Sequence, residues 1–236
     1  MKSKTGSGWT VNRRALLTRL AWAHCSVALA LAAGGAAAAS PAAGASTAAA
    51  GAPRVLVVGD SLSAEYGLAR GSGWVALLEK RLAAEKIAAQ VVNASISGDT
   101  TSGGRSRLPA LLKQHQPSVV VIELGGNDAL RGLPLAMTRD NLAAMSQAAK
   151  AAGAKVLLVG MQMPPNYGRQ YGLDFAAVFA EVAKLQKDAL VPFLLKGVAD
   201  GPDADRMFQA DRIHPVAEAH PAMLANVWPA LRPLLK

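Results

Sequence analysis

Cysteine, aromatic residues and several catalytic motifs are scarce or missing in this chain of 236 residues. Its one cysteine, Cys25, lies in an N-terminal segment that we expect to be removed. The folded part should therefore contain no disulfide, thiol nucleophile or thiolate metal site. Aromatic residues make up 5% of the chain and do not interleave with a stripe of Lys and Arg, which argues against nucleic-acid binding. Gly-x-Ser-x-Gly, a phosphate loop and His-Glu-x-x-His are absent. Without Gly-x-Ser-x-Gly, we do not expect the usual nucleophile elbow of α/β-hydrolases. Without the other two motifs, we expect neither a metal nor another cofactor.

The first 39 residues have the composition of a secretory signal peptide. Arg13 and Arg14 belong to a basic start, an uncharged apolar run follows over 20–39, and small residues end it. The arginine pair resembles a twin-arginine signal. A permanent membrane anchor is the alternative, because the run is long enough to span a bilayer. We therefore expect a cleaved signal over 1–39, a low-complexity linker over 40–52, one folded domain over 53–236, and a periplasmic or secreted protein.

Removal of the signal also changes the charge of the protein. The whole chain has a formal net charge of +9. Five of its 25 Lys and Arg residues and none of its 16 Asp and Glu residues lie in 1–39, which leaves +4 for the rest. This charge is compatible with contact to a lipid surface, but it does not by itself identify one.

Short apolar runs alternate with amphipathic segments through the rest of the chain. The runs 54–58 and 118–124 are rich in Val, which is typical of strands buried on both faces of a parallel sheet. Periodicity predicts further strands over 89–93, 155–161 and 190–193, and helices over 74–86, 105–115, 138–152, 175–187 and 215–231. Pro221 should disturb the last helix. The alternation predicts a three-layer α/β/α domain with about five parallel strands, whose ligands gather at the carboxyl ends of the strands.

A serine, an aspartate and a histidine have the spacing of a nucleophile and its base. Ser61 lies just past the first predicted strand, where its hydroxyl would reach a substrate at the carboxyl edge of the sheet. Capping a helix is the ordinary alternative for such a serine. A serine nucleophile needs a base, and a catalytic histidine needs a partner that fixes its tautomer. Among the four histidines, only His214 has an aspartate, Asp211, three residues before it. A solvated Asp and a surface His are the alternative for that pair.

Three donors could stabilise the oxyanion that forms when a hydroxyl attacks an acyl carbon. The candidates are the backbone N–H of Ser61, the backbone N–H of Gly98 and the side-chain amide of Asn127, each placed just beyond a predicted strand. Ordinary turn geometry is the alternative for Gly98, and a capping role is the alternative for Asn127. Consecutive strand ends would bring all three to one edge of the sheet.

These segments resemble the sequence blocks of the SGNH (GDSL) hydrolase superfamily. The resemblance is to the branch of periplasmic arylesterases and of thioesterase I/protease I/lysophospholipase L1, and it covers nearly the whole predicted domain, including 93–100, 108–112, 123–128 and 165–168. It implies Ser61 as the nucleophile, Asp211 and His214 as the orienting acid and the base, and an oxyanion hole of Ser61, Gly98 and Asn127. It also implies a flavodoxin-like sheet and an open site without metal.

Three residues depart from the pattern of that branch near the catalytic segments. Glu65 stands where a small residue is common, Arg105 where an apolar residue is common, and Arg212 where glycine is usual. These departures leave the implied mechanism intact and leave the acyl-chain preference open.

The sequence therefore predicts a secreted serine esterase that cleaves ester or thioester bonds. Its candidate partners are aryl esters, acyl-CoA, lysophospholipids and lipid surfaces. The acyl chain is expected along Leu130, Met137, Pro164, Pro165 and Tyr167, although simple packing is as good an explanation for the first two. A carbohydrate O-acetyl esterase of the cell envelope and a non-catalytic binding module are the alternatives.

Overall fold

A computed structural model describes residues 52–236 of the chain. The predicted signal over 1–39 and the predicted linker up to residue 51 lie outside the described residues. No helix within 52–236 is both long enough and apolar enough to cross a membrane.

Five parallel strands form the sheet: β1 (Arg54–Gly59), β2 (Gln90–Asn93), β3 (Val119–Glu123), β4 (Lys155–Val159) and β5 (Ala189–Val191). Their order across the sheet is β2-β1-β3-β4-β5, so β3 lies at its centre with β1 and β4 on either side. Every residue of β3 is buried, which explains why it needs no polar face. The predicted strands agree with the observed ones to within two residues at each end. The predicted α/β fold with a five-stranded parallel sheet is confirmed.

Six α-helices accompany the sheet in the described part: α1 (Trp74–Ala84), α2 (Thr101–His115), α3 (Gly126–Leu130), α4 (Leu135–Ala151), α5 (Arg169–Gln186) and α6 (His220–Leu231). Alternate strand residues separate two cores. Val55 and Val57 pack with residues of α1 and α6, whereas Leu56 and Val58 pack with residues of α2, α4 and α5. Since side chains alternate between the faces of a strand, one continuous apolar run supplies both layers of core.

Three helices begin earlier than the hydrophobic period predicts, namely α2, α4 and α5. In α2 the side chain of Thr100 accepts a hydrogen bond from the backbone N–H of Gly103 and caps the helix. The glycines of its first turn weaken the sequence signal, but Gly104 is needed there, because a Cβ would lie 2.2 Å from Cδ1 of Leu124. Helix α2 therefore starts at Thr101 instead of 105.

The short helix α3 and the start of α6 also differ from the prediction. Helix α3 has five residues and is too short to show a hydrophobic period, so the sequence does not predict it. The last helix begins at His220 rather than 215, after an isolated bridge between Phe208 and Pro215. Pro221 stands in the first turn of α6, where its missing N–H has no partner to lose, so it does not disturb the helix.

Candidate active site

Ser61, His214 and Asp211 lie in one hydrogen-bonded row. The Oγ atom of Ser61 is 2.9 Å from Nε2 of His214, and Nδ1 of His214 is 2.6 Å from Oδ2 of Asp211. In this arrangement Nε2 is placed to accept the serine proton while Nδ1–H donates to the carboxylate. The structure thus brings the three predicted catalytic residues together from the end of β1 and from the loop that precedes α6.

The carboxylate of Asp211 is fixed by the loop that carries the histidine. Its Oδ1 atom accepts hydrogen bonds from the backbone N–H groups of Ile213 and His214, both at 3.0 Å. Burial raises the pKa of Asp211, but these two bonds and the bond from the His214 ring outweigh it, and the pKa falls to about 2. Asp211 therefore stays ionised over the whole range in which an esterase works and can stabilise a charged imidazole.

A tight turn after β1 presents the hydroxyl of Ser61. Asp60 starts the turn, since its Oδ1 atom accepts from the N–H of Leu62 at 3.0 Å and its carbonyl accepts from the N–H groups of Ser63 and Ala64. Gly59 is needed just before it, because a Cβ there would lie 2.8 Å from both Oε2 of Glu123 and Oγ of Ser63. The turn is a local Asx turn, not the helix N-cap that was the alternative for Ser61.

A buried polar chain supports this turn from below. Nε1–H of Trp74 donates to Oγ of Ser63 at 3.2 Å, and that hydroxyl donates to Oε2 of Glu123 at 2.7 Å. Burial raises the pKa of Glu123 well above its usual range, and the neighbouring carboxyl of Asp60 raises it further. Glu123 is the last residue of β3, so the nucleophile turn rests on the central strand of the sheet.

Asn127 reaches the same turn from the other side. Gly125, with a φ of 125°, allows the chain to turn sharply from β3 into α3, and Asn127 lies in the first turn of α3. The Nδ2 group of Asn127 donates to Oδ2 of Asp60 at 3.0 Å. That bond uses one amide hydrogen and leaves the second for an oxyanion. Burial raises the pKa of Asp60 to about 6, although the bonds from Leu62 and Asn127 lower it.

Two backbone N–H groups near the serine have no acceptor among residues 52–236, those of Ser61 and Gly98. Gly98 adopts a φ of 79°, in the left-handed region that favours glycine. Its carbonyl accepts a hydrogen bond from Nη2 of Arg131 at 2.8 Å, which fixes the orientation of the peptide. An unpaired N–H is what an oxyanion donor requires, so these groups and the Asn127 amide remain the predicted oxyanion hole.

Aromatic packing restrains the histidine ring. The ring of Tyr66, which is 49% exposed, lies 4.3 Å from the ring of His214, centroid to centroid, with their planes tilted by 36°. The other described histidines lie elsewhere. His220 is buried and accepts a hydrogen bond from the N–H of Trp74 at 2.9 Å, and His115 ends α2, at the opposite edge of the sheet.

An apolar cavity of about 420 Å³ is lined by Arg212 and Ile213, the two residues between Asp211 and His214, and by Gly126, the neighbour of Asn127. It contains Leu130 and Pro164 of the predicted acyl-binding residues, but not Met137 or Tyr167, and the side chain of Pro165 lies outside the described residues. Sequence analysis missed the opposite wall, which follows β5. The lining consists of Gly126, Leu130, Met161, Gln162, Met163, Pro164, Phe193, Leu195, Ala199, Asp200, Ala204, Asp205, Phe208, Arg212 and Ile213.

Two functional contacts had no sequence signal that we used. The hydrogen bond that Asp60 accepts from Asn127 connects residues 67 positions apart. The only local sign of it is that Asp60 directly precedes Ser61. The cavity wall after β5 is a short apolar segment that is equally consistent with simple packing. In the described part of the chain, no group of three or more His, Cys, Asp or Glu side chains is arranged to hold a metal ion.

Comparison with known proteins places this geometry among esterases. Residues 57–222 match the GDSL-like lipase/acylhydrolase family. Esterase TesA of Pseudomonas aeruginosa is 58% identical over 186 residues, which cover 79% of this chain and 91% of that protein. Thioesterase 1/protease 1/lysophospholipase L1 of Escherichia coli is 43% identical over 186 residues, which cover 79% of this chain and 86% of that protein. A crystal structure of TesA matches with a TM-score of 0.74 at 57% identity and covers 77% of this chain and 99% of its own.

Proposed function

The chain belongs to the GDSL-like lipase/acylhydrolase family and is a carboxylic ester hydrolase of that family, and we propose that it is a secreted serine esterase that forms an acyl-enzyme on Ser61. The observation that carries the proposal is the row of hydrogen bonds from Ser61 through His214 to Asp211. The names of the relatives, which include an esterase and a thioesterase/lysophospholipase, support oxygen esters and thioesters as substrates.

In the first step, Oγ of Ser61 attacks the acyl carbon and Nε2 of His214 accepts its proton. The carbonyl oxygen becomes an oxyanion, which takes hydrogen bonds from the N–H groups of Ser61 and Gly98 and from the amide of Asn127. Each such donor is worth about 3–4 kcal/mol of barrier, because it is already oriented before the charge develops. The carboxylate of Asp211 stabilises the imidazolium that forms.

In the second half of the reaction, His214 returns the proton. Collapse of the tetrahedral intermediate expels the alcohol or thiol, which takes that proton from Nε2, and leaves an ester on Ser61. Water then attacks this ester while His214 again accepts a proton, and a second collapse releases the carboxylic acid and restores the hydroxyl. No group besides these side chains is needed to balance the protons.

The cavity is the natural place for the acyl chain. It opens between α3 and the segments that follow β4 and β5, and its wall is mainly apolar, with Met161, Phe193 and Leu195 among its residues. Burial of each methylene contributes about 0.8 kcal/mol, so kcat/KM should rise about fourfold per added methylene until the cavity is full. This space favours chains longer than acetyl and disfavours the carbohydrate O-acetyl esterase, which predicts a strict acetate preference.

The decisive experiment compares wild type with Ser61→Ala on p-nitrophenyl esters of increasing chain length, on acyl-CoA and on a lysophospholipid. We expect the folded variant to lose turnover on every substrate, because within residues 52–236 only the hydroxyl of Ser61 is hydrogen-bonded to His214. Ser118→Ala is the matched control, since this exposed serine precedes β3 at the opposite edge of the sheet. Full turnover by Ser61→Ala would remove the nucleophile assignment.

A fluorophosphonate probe separates the enzyme from a binding module of the same fold. Covalent labelling that is lost in Ser61→Ala supports an activated serine, whereas an inert wild-type protein would favour the binding module. The probe needs no knowledge of the natural substrate, so it remains informative if every ester in the substrate panel is turned over slowly.

Export and contact with lipid are part of the proposal and have separate tests. Cleavage near residue 39 and recovery of the protein from the periplasm would support a signal peptide, and deletion of Arg13 and Arg14 would distinguish the twin-arginine route. The charge of +4 outside the signal is compatible with electrostatic contact to lipid, which would appear as cosedimentation with anionic vesicles that is lost in high salt.

A further inference from the structure

The loop that carries Asp211 and His214 is closed at its base by Gln209. The backbone N–H of Gln209 donates to the carbonyl of His214 at 2.8 Å, and its carbonyl accepts from the N–H of Arg212 at 2.9 Å. An isolated bridge pairs Phe208 with Pro215 just outside the loop. Both ends of the catalytic loop therefore meet at Gln209.

The side chain of Gln209 extends from this loop to the nucleophile loop, which we define as residues 60–73. Its Nε2 group donates to the carbonyl of Tyr66 at 3.0 Å and to the carbonyl of Pro215 at 3.1 Å. Tyr66 belongs to the nucleophile loop and packs its ring against His214. One amide group thus connects the loop that carries Ser61 with the residue that follows His214.

Gly67 has the conformation and the space that this connection requires. Its φ of 71° favours glycine. A Cβ at this position would lie 2.2 Å from Oε1 of Gln209 and 2.9 Å from its Cδ atom. A side chain at residue 67 would therefore push the amide of Gln209 away from the carbonyl of Tyr66.

Few hydrogen bonds join the two loops. Within the part of the chain that the structure describes, two hydrogen bonds connect 60–73 with 207–216: the one from Gln209 to Tyr66 and the one between Ser61 and His214. The second is the reacting contact itself and is broken and remade in each catalytic cycle. The bond from Gln209 is the one that stays in place during the reaction.

We propose that Gln209 is a positioning residue that holds the histidine loop against the nucleophile loop and thereby keeps Nε2 of His214 within reach of Oγ of Ser61. This inference rests on the proposed function, since it assigns a role in aligning the same reacting pair. A misplacement of about 1 Å between reacting groups can lower a rate by about 100-fold.

Two substitutions test the role of the amide donors. Gln209→Met keeps the length of the side chain and removes both N–H groups, so we expect kcat on p-nitrophenyl acetate to fall about 10- to 100-fold with little change in KM. In Gln209→Glu, an ionised carboxylate faces two carbonyls and cannot form a hydrogen bond to either, because all of these groups accept. When the Glu side chain is protonated, its O–H supplies one donor again. The kcat of this variant relative to wild type should therefore rise as the pH falls from 8 toward 5.

Asn226→Ala is the matched control. Its Nδ2 group also donates to two backbone carbonyls, those of Leu194 and Lys196, at 2.9 and 2.8 Å, and neither acceptor belongs to one of the two loops. We expect this variant to lose thermal stability while keeping its kcat on the acetate ester. A Gln209→Met protein with wild-type kcat, or with no greater loss than Asn226→Ala, would overturn the proposal.

Nitrogen NMR of the histidine side chains gives a readout that does not depend on turnover. In Gln209→Met we expect the Nδ1 and Nε2 resonances of His214 to shift and the Nδ1 proton to exchange faster with water, whereas Asn226→Ala should leave them unchanged. Unchanged resonances in Gln209→Met would refute the positioning role of Gln209. If wild type neither hydrolyses esters nor reacts with a fluorophosphonate, the proposed function fails, and the resonances still decide whether Gln209 positions His214.

Discussion

Replacing Asp60 with asparagine should change stability and activity in opposite directions. The residue is 3% exposed, and burial raises the pKa of its carboxyl from 3.8 to about 6. Because the folded pKa is above the unfolded one, the native state holds the proton more tightly, and stability is lost as the pH rises from about 4 to about 6. Above that range, ionised Asp60 lowers the free energy of unfolding by about 3 kcal/mol, at 1.36 kcal/mol per pKa unit.

Asparagine removes this cost but loses one hydrogen bond. The two carboxylate oxygens accept from the N–H of Leu62 and from Nδ2 of Asn127, each at 3.0 Å, and an amide has only one oxygen. Its NH₂ group then faces a second donor, a mismatch that costs about 1–2 kcal/mol. The net gain at pH 8 is therefore about 1–2 kcal/mol, or about 2–8 °C in Tm for a domain of this size.

Activity should fall in the same variant. Without a carboxylate partner the amide of Asn127 is no longer fixed, and since complete loss of an oxyanion donor costs about 100- to 1000-fold in kcat, we expect about 10- to 100-fold here. The assays are thermal unfolding at pH 4 and pH 8 and hydrolysis of p-nitrophenyl acetate. Asp140→Asn, at an exposed site on α4, should change neither. The reasoning is refuted if Asp60→Asn is less stable than wild type at pH 8, or if it turns over at the wild-type rate.

Three further substitutions probe the orienting acid, the cavity and the sheet edge. Asp211→Asn keeps an acceptor for the backbone but turns an NH₂ group toward the histidine, so kcat should fall about 1000- to 10,000-fold in the folded variant. A loss of kcat below tenfold would contradict the orienting role of Asp211. Leu195→Trp fills the cavity and should lower kcat/KM at least tenfold for long acyl esters, with little effect on acetate esters. An equal effect on both would show that the acyl chain of the substrate binds elsewhere. Gly160→Ala puts a Cβ 2.4 Å from the carbonyl oxygen of Pro192, a backbone atom that cannot move aside. The free energy of unfolding in urea should therefore fall by about 1–3 kcal/mol. Wild-type stability would show that the end of β4 can adapt.

Local signals account for what could be predicted of the fold. The strands β1 and β3 are continuous apolar runs because both of their faces are buried, and that requirement is visible in the residues themselves. Helix starts were predicted less well. The first turn of helix α2 contains Gly104, which its close packing on Leu124 requires, and a constraint from a distant side chain does not appear in the local hydrophobic period.

The candidate catalytic residues were also accessible from the sequence, because serine, aspartate and histidine chemistry limits which residue types and neighbours are useful. The spacing of Asp211 and His214 allows a contact within one loop, and the structure places the two side chains 2.6 Å apart. Topology predicted that Ser61, Gly98 and Asn127 would gather at one edge, since parallel strands deliver their carboxyl ends there. The meeting of Ser61 with His214 and Asp211 was implied by the resemblance to the family.

The sequence by itself determined the succession of five strands and five long helices along the chain and the residue types able to perform acyl transfer, because burial and reactivity are properties of single residues and their near neighbours. Tertiary structure alone decided that Asp60 holds Asn127, that Gln209 spans the two catalytic loops, and that Phe193 and Leu195 face the apolar cavity. Each of these contacts joins segments far apart in the chain, and their partners are selected by the three-dimensional path of the backbone rather than by any local pattern.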